Sequence, residues 1–227
     1  MKYPTFFGID LTSTHTKPSA CLGLDDKSQL VYLGFLVENS DIVTLMNFYS
    51  PQVIAIDAPL SLPLGLCCLE ENCSCQPEFP ASKNRQCDQE LRQQGIPCYP
   101  TSKRTFIKRL IYRGIELKTA IASRSPEPFA SCHSEELNRP GQVIEVYPYA
   151  SKVRLFGKTM PKKATLQGIA FLRERLGDIL PALRPYLGGF GHDLCDAAIA
   201  AYTAFLYRQN MVDALGSSEE GLIFIPH

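Results

Sequence analysis

The chain carries no net charge: 23 lysines and arginines balance 23 aspartates and glutamates over 227 residues. A balanced protein sets up no global field that would gather it onto nucleic acid or an anionic membrane, so any polyanion binding has to come from local patches. No apolar run approaches the length that spans a bilayer. The opening "MKYPTFFGID" lacks the long apolar stretch of a secretion signal, because Asp10 interrupts it. Internal repeats and low-complexity segments are absent as well. These absences point to a cytoplasmic globular protein, and in a reducing compartment its nine cysteines do not make a disulfide framework. What is present is a chain 45% hydrophobic and 20% charged, long enough to bury one sizeable core.

The stretch "VIAIDAPLSLP", residues 53–63, places Asp57 at the end of an apolar strand that Pro59 stops. Val53 to Ile56 read as a strand covered on both faces, as inside a parallel sheet. A turn explains such an aspartate on its own. "FFGID", however, ends in Asp10 in the same way. If the two strands lie side by side and parallel, both aspartates emerge at one sheet edge, where open α/β sheets place their ligand sites. Two adjacent carboxylates there repel unless a cation sits between them. Residues 3–11 and 19–39 read as a three-strand antiparallel meander, and 40–50 as a helix, so the first sixty residues run β-β-β-α-β. Further helices are expected over 101–114, 149–158, 164–180 and 192–210, and strands over 142–148 and 220–226. The polar segment 123–140 reads as loop.

More acids fall at chosen places. Glu145 sits inside "VIEVYP", where burial is expensive unless the carboxylate is paired, bound to metal or turned to water on an edge strand. Asp193 and Asp196 open the last helix in "HDLCDA", three residues apart. Acids in a first turn also complement the helix dipole without any metal. His192 beside them either caps the helix or moves protons.

Taken in order, "GIDLT", "AIDAPLSLP", "CDQELRQQGI", "IEVYP", "HDLCDA" and "EGLIFIP" resemble an uncharacterised family of predicted nucleases in the ribonuclease-H-like superfamily. The carboxylate layout is similar to that of Holliday-junction resolvases, and the resemblance spans nearly the whole chain. It implies one ribonuclease-H-like α/β domain over 1–227, a mixed sheet of an antiparallel three-strand meander plus parallel strands, flanked by helices. It also implies that Asp10, Asp57, Glu145 and Asp193 or Asp196 hold Mg²⁺ or Mn²⁺ for two-metal hydrolysis of phosphodiesters.

Residues 60–100 look like a cysteine-rich insertion. Four of Cys67, Cys68, Cys73, Cys75, Cys87 and Cys98 could hold a structural Zn²⁺ or an iron–sulfur cluster, and the spacing does not choose between them. Buried small hydrophobes are the plain alternative. Cys21, Cys132 and Cys195 read as packing residues. Two basic segments, 102–113 and 152–163, offer Lys103, Arg104, Lys108, Lys152, Lys162 and Lys163 as phosphate contacts, or merely as solvated surface. Tyr99, Tyr112, Tyr147 and Tyr149 either stack on unpaired bases or pack in the core. Two other functions compete. "GIDLTSTHTK" resembles the first phosphate loop of actin, sugar-kinase and heat-shock ATPase phosphotransferases, which pair two such domains and carry a second glycine-rich loop that this chain lacks. A catalytically inactive nucleic-acid or protein-binding module is the third reading.

Overall fold

A computed structural model describes residues 4–14, 16–73, 84–123 and 141–227. In chain order the elements are β1 (Thr5–Asp10), β2 (Ser19–Asp25), β3 (Leu30–Leu36), α1 (Asn39–Tyr49), β4 (Val53–Ile56), α2 (Gln86–Gln93) and α3 (Lys108–Ala122). They continue with β5 (Gln142–Val146), α4 (Pro148–Phe156), α5 (Leu166–Ile179), α6 (His192–Arg208), β6 (Val212–Ser217) and β7 (Gly221–Pro226). The strands form one mixed sheet in the order β3-β2-β1-β4-β5-β7-β6. β1, β2 and β3 make the expected antiparallel meander, β1, β4, β5 and β7 run parallel, and β6 closes the far edge antiparallel to β7.

Pleat alternation sorts the central strands between two helical layers. Phe7, Ile9, Ile54 and Ile56 face α1 and α3, packing on Ile42, Met46 and Leu117. Phe6, Val53, Ala55, Ile144 and Val146 face the opposite way, onto Ala200 and Ala204 of α6. A strand that is covered on both faces has no polar side to show, which is why "VIAI" is apolar at every position. Helix α5 and the turns after it extend the α6 layer over Ala20, Leu22 and Leu24 of β2.

Helix α6 lies unusually close to β1. A Cβ placed on Gly8 would come 2.1 Å from the Ala201 nitrogen and 2.2 Å from the Ala197 oxygen, so no other residue fits there. Along its length, Ala197 and Ala201 meet Gly8, whereas Ala200 and Ala204 meet Phe6 and Val53. The helix thus runs antiparallel to β1 and β4, and its N-terminus lies over their carboxyl ends.

The sequence-based expectations need three amendments. The insertion contains a helix, α2, and an apolar anchor: Cys87, Leu91 and Ile96 pack on Ala150, Leu215 and Ile223. Strand β6 was not expected. The helix expected from 101 begins at Lys108, because residues before it form a turn closed by the Thr105 N–H on the Ser102 carbonyl, 3.0 Å. Residues 124–140 of the expected loop lie outside the described residues. Among the described residues no helix is long and apolar enough to cross a membrane.

Candidate active site at the carboxyl edge of the sheet

Asp10 is the last residue of β1, and Asp57 follows the last residue of β4. Ile9 and Ile56 are paired in parallel register, and the Asp57 N–H donates to the Ile9 carbonyl at 2.9 Å, which carries the ladder to the edge. Asp10 and Asp57 therefore stand side by side. Each continues the face of its strand that looks at α6, beneath Asp193 and Asp196.

Asp196 is fully buried and doubly compensated. Lys152 Nζ lies 2.5 Å from Oδ1, and Lys163 Nζ lies 2.8 Å from Oδ2. Lys152 is itself buried, whereas the Lys163 side chain is 54% exposed. Asp193 is half-exposed, with His192 Nδ1 2.7 Å from its Oδ1. Among the described residues Asp10 and Asp57 have no such cation in contact. Burial, then the charges of Asp57, Asp196 and Asp193, push the Asp10 carboxyl up to about 9. Burial, then Asp196, push Asp57 up to about 7, with Lys163 and Lys152 pulling it back. The pair resists carrying two charges at neutral pH.

Glu145 belongs to a different arrangement. It is in register with Ile56, so it points to the α3 side of the sheet, away from the face of Asp10 and Asp57. There Arg85 grips it bidentately, Nη1 to Oε2 at 2.7 Å and Nη2 to Oε1 at 2.6 Å. Oε2 also accepts the Leu60 N–H at 2.8 Å. Arg85 turns its remaining contacts to Asp88 (3.1 Å) and Ser61 (3.1 Å), and Thr101 donates to Asp88 at 2.8 Å. This buried lattice clamps the insertion to the sheet. Glu220 adds to it, accepting from the N–H groups of Leu64 (2.7 Å) and Gln86 (2.6 Å). The structure thus brings Asp10, Asp57, Asp193 and Asp196 to one edge and leaves Glu145 on an arginine.

A cavity of about 380 Å³ opens between the two arrangements. Asp10, Asp57, Asp196 and Lys163 line one part, Arg85 and Glu145 another, and Tyr99, Tyr147 and Tyr149 line its wall. Tyr99 packs edge to face on Phe106, ring centroids 4.6 Å apart, and both rings are exposed. Tyr147 is half-buried and donates to the Pro97 carbonyl at 2.9 Å. Tyr112 is used otherwise, accepting the Leu69 N–H (2.7 Å) and donating to Glu70 (3.0 Å).

Of the six basic residues read as phosphate contacts, Lys163 alone lines the cavity. Lys152 is withdrawn from solvent by Asp196, because an ammonium in the interior needs a partner. Lys108 contacts Glu70 at 3.2 Å, and Arg104 reaches Glu71 at 3.9 Å. Lys103 is half-buried and Lys162 is exposed, both away from the cavity lining. Arg113 is also internal: it donates to the carbonyls of Thr12 (2.8 Å) and Val37 (2.6 Å) and to Asn39 Oδ1 (2.9 Å).

The cysteines divide. Cys67, Cys68 and Cys73 gather with their sulfurs within 4.8 Å of one another. Cys87 packs in the core and Cys98 is half-buried, its thiol donating to the Asp88 carbonyl at 3.4 Å, so neither joins the trio. Cys75 and Cys132 lie outside the described residues. Cys21 and Cys195 are buried free thiols, as packing predicts. Cys67 is disulfide-bonded, which the reducing-compartment expectation did not include. Among the described residues, the trio is the one group of three or more potential ligands drawn so close; the aspartates at the sheet edge are not gathered to that degree. Asp10 and Asp57 remain as two hard oxygen donors, which suits a Mg²⁺ ion that keeps several waters.

Arg85, Asp88 and Thr101 were not foreseen from the sequence. The signal available was Glu145 itself: a carboxylate between Ile144 and Val146 needs a cation, and nothing local says which. The DUF429 family, described as protein of unknown function, matches residues 8–220. The chain belongs to the DUF429 family. The match begins two residues before Asp10 and ends at Glu220, so the DUF429 region holds every acid discussed above and the cysteine trio. Comparison with curated proteins and with solved structures finds no match.

Proposed function

We propose that this DUF429 protein is a divalent-metal-dependent hydrolase of phosphodiester bonds, a nuclease with a ribonuclease-H-like fold. The observation that carries the reading is the Asp10–Asp57 pair, side by side at the carboxyl edge, under the N-terminus of α6 and without a cation in direct contact among the described residues. The sheet order β3-β2-β1-β4-β5, an antiparallel meander followed by parallel strands, supports the fold assignment. Asp10 and Asp57 would hold Mg²⁺ or Mn²⁺, which when bound supplies Lewis-acid activation of water and phosphate.

The chain's own residues do the rest. Lys163, half-exposed at the cavity, offers its ammonium to a phosphate oxygen. Lys152 fixes Asp196 and with it the first turn of α6, whose dipole favours negative charge at that end. Tyr99, Tyr147 and Tyr149 give the wall aromatic faces suited to a base. The cavity, about 380 Å³, is in the range of small-molecule sites, and that size suits a single unpaired nucleotide. The substrate therefore presents an unpaired nucleotide at the point of cleavage. Glu145 is assigned to the clamp with Arg85 and not to the ion.

Single-turnover cleavage of single-stranded, double-stranded, hybrid and branched substrates, with Mg²⁺ or Mn²⁺, tests this. Cleavage that prefers unpaired strands and disappears in Asp10→Asn and Asp57→Asn is expected; normal cleavage by both variants rejects the proposal. One observation favours the binding-module reading: Lys152 and Lys163 already do for Asp196 what a cation would do. That reading requires binding indifferent to metal and to both substitutions. The phosphotransferase reading has less support, because Thr12 in the loop after β1 is engaged by Lys17 and Arg113 (2.7 and 3.0 Å) and not open to phosphate.

A further inference from the structure

We propose that Cys67, Cys68 and Cys73 form a mononuclear zinc–thiolate site that anchors the insertion, separate from the chemistry at the sheet edge. The Sγ atoms of all three lie within 4.8 Å of one another, and those of Cys67 and Cys73 are 3.5 Å apart. A tetrahedral zinc with bonds of about 2.3 Å sets its thiolates about 3.8 Å from each other. The Cys67–Cys73 distance is close to that value, and the 4.8 Å bound on the trio leaves room for one ion once Cys67 is reduced. An iron–sulfur cluster distributes its cysteines over several irons joined by sulfides, which spreads the thiolates further. Thiolates are soft donors and select zinc over the hard cations suited to Asp10 and Asp57.

In the reduced chain zinc would take over the tie that the disulfide at Cys67 gives this loop. Leu69 is its fully buried side chain, and its N–H rests on the Tyr112 hydroxyl of α3. Glu70 faces Lys108 and Tyr112, not the sulfurs, and Glu70, Glu71 and Asn72 are exposed. The trio lies at the surface, with Cys67 exposed and Cys68 and Cys73 half-buried, so an ion can reach it. The described residues supply three of the four ligands that a tetrahedral zinc takes. The disulfide at Cys67 is the oxidised alternative to this site. A phosphine reductant plus one water converts that disulfide to two thiols and phosphine oxide, and zinc then displaces the thiol protons.

The test uses the full chain, reduced with a water-soluble phosphine, loaded with Zn²⁺ and desalted. Elemental analysis is expected to find one zinc per chain, and Co²⁺ in its place to give the visible bands of a tetrahedral thiolate site. Cys67→Ser, Cys68→Ser and Cys73→Ser each lose the ion; Cys98→Ser and Asp10→Asn keep it. Because a serine variant could fail to fold, wild-type protein is also alkylated with and without zinc, and the ion should shield these three thiols specifically. Zinc well below one per chain after reduction, zinc retained by all three variants, equal alkylation rates, or iron with acid-labile sulfide would each overturn the proposal.

Discussion

Glu145 and the Asp10–Asp57 pair occupy the same end of the same sheet, on opposite faces, and the fold treats them oppositely. Glu145 receives a bidentate guanidinium, a backbone N–H and a buried network behind the arginine. Asp10 and Asp57 are held above the ordinary carboxylate range by burial first and then by neighbouring carboxylates, Asp196 among them. Glu145 has a cation in direct contact, whereas among the described residues the pair has only the more distant pull of Lys163 and Lys152, and on the proposed reading a divalent cation completes it. Four predictions probe that contrast.

The largest effect is expected at the pair. Asp10→Asn and Asp57→Asn should reduce metal-dependent cleavage by about 10³-fold or more in single-turnover assays. Both should raise the melting temperature of the metal-free protein, because each removes a buried carboxyl that the fold must either desolvate as an anion or hold protonated at neutral pH. A fall in melting temperature would mean that the two acids are structural after all.

Next comes the clamp. Arg85→Ala leaves Glu145 and Asp88 buried without a cation and should cost about 3–5 kcal/mol in denaturant unfolding. Glu145→Gln should leave Mn²⁺ affinity nearly unchanged by calorimetry. Lost Mn²⁺ binding in Glu145→Gln would move Glu145 from the clamp to the ion.

The third effect is in pH. A carboxyl whose folded pKa lies above the 3.8 of the free group keeps in the fold a proton that the unfolded chain has released. Its stabilising contribution is whole below about pH 3.8 and is lost as pH rises, through about 7 for Asp57 and about 9 for Asp10. Metal-free protein should therefore weaken between pH 5 and 9, by at most about 1.4 kcal/mol per pH unit for each proton. Millimolar Mg²⁺ should flatten the profile, and thermal melts across that range check both points.

Lys163→Ala should show the smallest change, about tenfold in cleavage rate with stability altered by under about 1 kcal/mol, because the ammonium is half in water and Lys152 still holds Asp196. Lys152→Ala, at the buried end of the same carboxylate, should do the reverse and chiefly lower the melting temperature.

Much of the sheet was legible because its strands are short apolar runs closed by Gly, Pro or Asp. β1 to β5 and β7 fall where pattern alone puts them. β6 is not such a run: "VDALGS" alternates weakly and is a strand because β7 pairs with it. Helix α2 was hidden by the cysteines and prolines around it, though Cys87 and Leu91 repeat at helical spacing. At the site, Asp10 and Asp57 could be read because a strand end is a local property. The partners of Glu145 and Asp196 could not, since Arg85 and Lys152 arrive from 60 and 44 residues away. Lys152 and Arg113 resembled ordinary basic helix residues until tertiary packing enclosed them.

Gly8 fixes the scale of the whole edge. With no side chain between them, the backbones of β1 and α6 touch directly, and the gap between Asp10 and the acids of the helix is set by two main chains in contact. Such a spacing cannot drift by repacking, as a gap filled with leucines could. Any residue larger than hydrogen at this position would lever the helix off the strand and widen the distance across which the four carboxylates feel one another, however intact those carboxylates remained.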